Sequence, residues 1–292
     1  MPPLITLTTD FGLDDPFVGI MKGVILNIEP DALIIDITHN IEPHNILQAA
    51  RVLNATYPWY PRKTIHIVVV DPSVGGPKSR EKSIPKKKTS PSNKSMLSLI
   101  TEGRGPTGKR PILIESQFQT FIGPDNGVLT PALGSKSKVY ELNNQKYFLK
   151  NISNTFHGRD LFAPVAAWIA TGIPPSKMGP RLLKPMQINM PAATQKNQGI
   201  KGEIIYIDNF GNATTNISSE LIEKAYPSSD TIEIRVGNDK INGLVTGYYQ
   251  VTLGQPGAIL NSWNQLEIFC RENSAEKKLK LKLGQSVTLK AK

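Results

Sequence analysis

Apolar and polar positions change period along the chain, and the changes mark out alternating strands and helices. "LITLTTDF" (4–11) is an apolar run of strand length. "DDPFVGIMKGVILNIEP" (14–30) reads as an amphipathic helix, with Asp14 or Asp15 as N-cap and Pro16 in its first turn. "ALIIDIT" (32–38) is a second strand. "PHNILQAARVLNATY" (43–57) is a second helix, with Ile46, Leu47, Ala50 and Leu53 at helical spacing. "TIHIVVVD" (64–71) is apolar throughout, as strands covered on both faces are. Strand–helix–strand repetition of this kind predicts a parallel sheet in an α/β layer.

The pattern returns at "RPILIES" (110–116), passes a turn-rich stretch, "FIGPDNGVLTPAL" (121–133), and reaches a helix in "GRDLFAPVAAWIATG" (158–172). Residues 173–199 are proline-rich and lack a sustained period, which predicts a linker. Behind it the periodicity is that of strands only: "GEIIYID", "TIEIRVG", "QLEIFCR" and "KLKLKLGQSVTLK". The expected organisation is an α/β domain over 1–175, a linker over 176–199 and a smaller all-β domain over 200–292.

Composition narrows the class. At 39% hydrophobic and 20% charged residues, the chain has the makings of an ordinary globular core. No apolar run approaches the roughly 20 residues needed to span a bilayer, and the N-terminus lacks a basic leader, so no signal peptide and no membrane partner are expected. One cysteine, Cys270, excludes an intramolecular disulfide and a cysteine-based zinc cage, and a reducing cytoplasm is the expected setting.

The net charge of +10 invites a nucleic-acid reading, but its distribution argues against one. Residues 78–110 carry ten Lys and Arg against Glu81 and Glu102, so most of the excess sits in one segment. That segment interrupts the strand pattern behind "VVVDPSVGG". Its prolines, serines and Lys86-Lys87-Lys88 run predict a mobile surface insertion over 78–109.

Four places could carry chemistry. Asp10 ends the first strand in "TTDFG" and Asp71 ends the third in "VVVDPSVGG". Ligands of open α/β sheets bind outside the carboxyl ends of strands; a turn-forming or capping role accounts equally well for either aspartate taken alone. His157, in "NTFHGRDLFAP", precedes a helix whose dipole favours a neutral imidazole able to accept a proton, though a histidine that merely packs is the commoner case. In "IDNFGNATTNI", Asp208, Asn209, Asn212, Thr215 and Asn216 surround Phe210 and Gly211. This is more amide and hydroxyl than a hairpin turn needs, and an exposed Phe beside an Asn could stack on a planar base while the amide reads its edge. His39 and His44 show no partner in the sequence and read as structural; His66, inside a strand, reads as a core histidine. There is no Walker loop, no GxGxxG behind a strand, no HExxH and no GxSxG. No His, Cys and carboxylate cluster has metal spacing. Chemistry without a metal or an activated serine points to a substrate that brings its own leaving group.

Taken in order, "TTDFG", "VVVDPSVGG", "FIGPDNGVLTPAL", "TFHGRDLFAPVAA", "IDNFGNATTNI" and "NSWNQLEIF" resemble the S-adenosylmethionine hydroxide adenosyltransferases, also called S-adenosylmethionine hydrolases (adenosine-forming), which are relatives of fluorinase and chlorinase. The resemblance runs from residue 4 to near the C-terminus, apart from 78–109. It implies an α/β N-terminal domain, a barrel-like C-terminal domain, and a homotrimer whose sites lie between the N-domain of one chain and the C-domain of the next. The implied reaction is S-adenosylmethionine plus water giving adenosine and L-methionine, with no cofactor and no metal. The family is associated with the R-sulfonium diastereomer, a damaged form of the metabolite.

The resemblance also implies roles. The family's hydrolytic triad is Asp, Arg and His; by motif the Asp is Asp71 and the His is His157, and the arginine's place falls to a cation on either side of the insertion. Spacing from Asp71 favours Lys78, then Arg80; Lys109 and Arg110 stand on the far side of the insertion. Asp10 matches the position that holds the ribose hydroxyls. Asp208, Phe210 and Asn212 match contacts to adenine and methionine. Ser262, Glu267 and the Ser274–Ala275 backbone match the remaining nucleoside and amino-acid contacts, and Trp263 stands where the halogenases carry arginine. The alternatives are a halide-using transferase, a non-catalytic adenosine- or S-adenosylmethionine-binding protein, and an adaptor acting through its basic segment.

Overall fold

The structure, a computed structural model, describes residues 2–71, 110–196, 199–226 and 232–291. The chain divides into two compact units, Met1–Ile188 and Asn189–Lys292.

The first unit is built on a six-stranded sheet of β1 (Leu4–Thr9), β2 (Leu33–Thr38), β3 (Ile65–Val69), β4 (Pro111–Glu115), β5 (Thr120–Pro124) and β6 (Lys138–Glu141), in the order β2-β1-β3-β5-β4-β6. The predicted parallel pairing holds for β2, β1, β3 and β5, whereas β4 runs antiparallel to both β5 and β6. The reason is local. A parallel connection needs a crossover of about a dozen residues or more. Only residues 116–119 join β4 to β5, closed by the Ser116 amide donating to the Gln119 carbonyl at 2.9 Å. Both sheet faces are covered. Ile65, Ile67 and Val69 face a core shared with α1 (Phe17–Ile28) and α3 (Ala163–Ala170); Val68 and Val70 face a second core under α2 (Ile46–Thr56). The two-residue period of the strand thus explains why β3 is buried at every position.

Three local expectations change. Neither Asp14 nor Asp15 caps α1: Pro16 holds the N-cap position without a side-chain bond, and both aspartates are exposed. The 158–172 helix opens as a π-helical turn, Gly158–Phe162, before α3 begins. Pro164 has no N–H to give to the Asp160 carbonyl four residues back, and that carbonyl accepts from the Leu149 amide instead at 3.0 Å. The proline-rich stretch 176–199 is not one extended spacer. Met178 is buried in the first core, the Leu182 amide donates to the Val139 carbonyl, and the Ile188 amide donates to Thr130 Oγ1, all within the first unit.

The second unit is an eight-stranded antiparallel sheet: β7 (Thr194–Lys196), β8 (Gly199–Ile207), β9 (Ala213–Ser218), β10 (Ile232–Val236), β11 (Asp239–Asn242), β12 (Pro256–Leu260), β13 (Gln265–Cys270) and β14 (Ser286–Ala291). Its path is β11-β10-β14-β8-β9-β13-β12, with β7 paired to β8, and a bridge from Val245 to Ile259 brings the two ends together, so the sheet is a nearly closed barrel. It also holds two short helices, α4 (Ser219–Ala225) and α5 (Ala275–Leu279). The alternating "KLKLKL" is therefore not a strand. Ser274 caps α5 by accepting from the Lys277 amide, Ala275 is fully buried, and Lys280 ends the helix in the left-handed conformation. Cap and anchor override the alternation. Among the described residues no helix is long and apolar enough to cross a membrane.

Candidate active site

In the first unit the sheet delivers two aspartates to the carboxyl ends of neighbouring strands. Asp10 follows β1 and Asp71 follows Val70 at the end of β3. Asp10 Oδ2 accepts from the His44 amide at 2.9 Å, and His44 adopts a left-handed conformation, φ 67°, to present it. Asp10 Oδ1 carries no hydrogen bond among the described residues. Behind it, buried Thr9 meets His39 Nδ1 at 2.8 Å, His39 Nε2 lies 3.0 Å from Asp36 Oδ1, and Lys22 Nζ lies 2.5 Å from Asp36 Oδ2. Burial works to raise the Asp36 pKa, and the bonds from Lys22 and His39 outweigh it and hold the carboxyl below its usual range. His39 and His44, without partners in the sequence, are thus both tied to the loop that carries Asp10. His66 is a core histidine: it bonds Thr6 Oγ1 at 2.7 Å, stacks on Phe121, and burial drives its pKa down to about 4.

The π-helical turn brings His157 to the same end of the sheet. Gly158 leaves room for Phe11 and Met21: a Cβ there would lie 3.0 Å from Met21 Sδ and 3.5 Å from Phe11 Cε2. Phe11 and Phe156 meet edge to face at 6.0 Å, so the neighbours of Asp10 and His157 pack on one another. His157 is 8% exposed, and its Nε2 is buried without a hydrogen-bond partner among the described residues. Burial lowers its pKa below the usual value; the Asp71 and Asp160 carboxylates and a bond to the Ser153 backbone oppose that without reversing it. The ring is therefore neutral near pH 7 and can take a proton. Asp160, fully buried, accepts from the Ser153 amide at 2.7 Å and pairs with Arg159 at 2.6 Å, which fixes the loop that His157 bonds.

Arg159 is thereby committed to Asp160. Arg110 is likewise committed, its Nη2 2.8 Å from Asp125 Oδ2. Lys78, Arg80 and Lys109, and the insertion assigned to 78–109, lie outside the described residues.

In the second unit the β8–β9 hairpin forms a compact polar loop. Asp208 Oδ1 accepts from the Phe210 and Asn212 amides at 2.9 and 2.8 Å, and Asn212 Nδ2 lies 3.2 Å from Asp208 Oδ2. Phe210 is pushed outward, 78% exposed. Gly211, at φ +82°, lies against Ser274, where a Cβ would come within 2.1 Å of the hydroxyl, and its carbonyl accepts from the Glu276 amide. The Phe210 loop and the Ser274–Ala275 helix start are thus one surface. Glu267 is turned inward: it is buried and accepts from Tyr248 at 2.8 Å and Asn261 Nδ2 at 3.2 Å. Burial, then the Glu267 carboxylate, pushes the Tyr248 pKa up to about 12, so the hydroxyl stays a donor. Ser262 and Trp263 are exposed at the turn before β13, and Trp263 leans on Tyr206 at 5.6 Å. Tyr248 had no signal in the sequence, and Asn261 only opened the "NSWNQLEIF" motif without a role of its own. Among the described residues no group of His, Cys, Asp and Glu is arranged to hold a metal ion.

Comparison with known proteins matches both units of the chain. Residues 5–84 and 86–179 match the SAM hydroxide adenosyltransferase N-terminal domain, and residues 202–288 match the C-terminal domain of the same family. An (R)-S-adenosyl-L-methionine hydrolase from Thermus thermophilus is 30% identical over 99% of this chain and 100% of its own. One from Methanocaldococcus jannaschii is 35% identical over 80% of this chain and 74% of its own. A fluorinase from Actinopolyspora mzabensis is 27% identical over 76% of this chain and 74% of its own. The crystal structure of an uncharacterized conserved protein from Thermotoga maritima superposes with a TM-score of 0.81 at 32% identity, over 98% of this chain and 99% of that one. The chain belongs to the SAM hydroxide adenosyltransferase family.

Proposed function

We propose that this protein is an S-adenosylmethionine hydrolase that turns over the R-sulfonium diastereomer. The carrying observation is a buried, neutral histidine with a partnerless Nε2, next to the Asp71 carboxylate, in a chain of this family. Asp71 and His157 orient one water in line with the C5′–S bond. The water oxygen bonds to C5′, the C–S electron pair returns to sulfur, and methionine leaves as a neutral thioether. The proton lost by the water passes to His157 Nε2 and then to solvent, so each turnover gives adenosine, L-methionine and one proton. Because the sulfonium already carries the positive charge that makes sulfur leave, the step calls for placement and partial exclusion of solvent rather than a metal or cofactor.

Asp10 holds the ribose hydroxyls through its second carboxylate oxygen. Phe210 stacks on the nucleoside, while Asp208, Asn212, Ser262 and the Ser274–Ala275 backbone supply polar contacts. Buried Glu267 shapes that surface through Tyr248 and Asn261. Lys78 or Arg80 supplies the cation of the triad. The assembly is a homotrimer in which the second unit of one chain completes the site on the first unit of another. The lone cysteine, Cys270, is buried and unpaired, which suits a reducing cytoplasm. Halide transfer is disfavoured, since a fixed carboxylate at Asp71 repels a halide and holds a water.

Incubation with a mixture of the two sulfonium diastereomers in ¹⁸O-water tests this. The expected result is loss of the R form and adenosine labelled at the 5′-oxygen. Unlabelled adenosine, a halogenated nucleoside, or tight binding without turnover would each refute hydrolysis.

A further inference from the structure

The "PDNG" motif, conspicuous in the sequence, has no place in the mechanism so far. Its asparagine is 2% exposed. Asn126 Nδ2 donates to the Val70 carbonyl at 2.8 Å, and its Oδ1 accepts from the Val128 amide at 3.0 Å. Val70 is fully buried and immediately precedes Asp71.

The need for that donor follows from how the sheet ends. The β3–β5 ladder pairs Ile65 with Thr120, His66 with Phe121 and Ile67 with Ile122, and then stops. Gly123 next passes so near β3 that a Cβ there would lie 2.4 Å from the Val68 carbonyl oxygen, and Pro124, the last residue of β5, has no N–H to extend the ladder. The carbonyl of Val70 is left past the last rung on that side. A buried carbonyl without a donor is costly, and a strand end without one frays. The amide of Asn126 continues the ladder by one bond past the end of β5. The preceding residue, Asp125, anchors the motif: its Oδ2 takes Arg110 and its Oδ1 takes the Met186 amide at 2.6 Å.

We infer that Asn126 is a positioning residue for the hydrolytic step, its buried amide fixing the Val70 carbonyl and through it the place of the Asp71 carboxylate. It touches no reacting atom. The inference rests on the role proposed for Asp71. The amide sets the direction from which the carboxylate meets the water, so its loss should fall on kcat and leave substrate binding nearly untouched.

A double-mutant cycle in the full-length protein tests it. Asn126→Ala should lower kcat ten- to hundredfold with KM changed less than about threefold. In an Asp71→Asn background the same change should cost less than about twofold, because its route to the chemistry is already gone. Should Asn126→Ala fail to fold, Asn126→Asp, which keeps the acceptor for the Val128 amide and removes the donor, takes its place in the cycle. Full additivity, an unchanged kcat, or failure of both variants to fold would overturn the inference in favour of a purely structural asparagine. If Asp71→Asn is itself as active as the wild type, it is the proposed hydrolytic role that fails, and that outcome is read from the single variant alone.

Discussion

The groups proposed to react and the groups proposed to recognise are held in opposite ways. In the first unit His157 is 8% exposed, and fully buried Asp160 accepts from the Ser153 amide to fix the loop that His157 bonds. In the second unit Phe210 is 78% exposed at a hairpin tip, and the polar atoms of the loop are spent mainly on one another. Reaction demands a fixed pKa and a fixed direction, and burial with several bonds provides both. Recognition of a flat ring demands apolar area that water can leave, and an outward aromatic provides that. The difference teaches that burial tracks the kind of work each surface does.

The sharpest way to break this contrast is His157→Gln, which keeps size and polarity but removes the proton acceptor. We expect kcat to fall about 10²- to 10⁴-fold with KM nearly unchanged; a loss confined to KM would move His157 to the binding side. The wild-type pH profile sharpens the same point. Because the folded pKa of His157 lies below its usual value, kcat/KM should hold on descending through pH 6.5 and fall only at lower pH, as the ring gains a proton. An acid limb centred above 6.5 would contradict a buried neutral base. Phe210→Ala should show the reverse split, raising KM about tenfold through lost stacking and sparing kcat, as measured by initial rates. The smallest effect is expected from deleting 81–108, which should leave the melting temperature within a few degrees and the activity within about threefold. Activity lost in a folded variant would make the basic segment part of the site.

Much of the frame was legible because apolar runs and strand-end carboxylates are local signals. Asp10, Asp71 and His157 all stand at chain positions that a strand end or helix start advertises. What was illegible depends on distance along the chain. The bond from Asn126 to Val70 and the Thr9–His39–Asp36–Lys22 chain join residues that no sequence window contains together. The antiparallel β4 lacked an Asn-Gly or Asp-Gly turn to announce it, since Ser116 closes that hairpin with its hydroxyl instead. "KLKLKL" misled because the cap at Ser274 and the buried Ala275 outweigh two-residue alternation. Lys78 and Arg80, one of which is the proposed cation of the triad, fall outside the described residues.

Adjacent residues of one turn hold the described residues on either side of segment 72–109. Asn126 grips Val70, just before it, and Asp125 grips Arg110, just after it, through both backbone and side chain. In evolutionary terms this is a port. Sequence can be gained or shed within 81–108, past Lys78 and Arg80, without either edge losing its registration, since the closure entropy of a longer segment grows only logarithmically. A lineage could thread an address, a tether or a whole guest domain through that gap while the chemistry beside it continued unaltered.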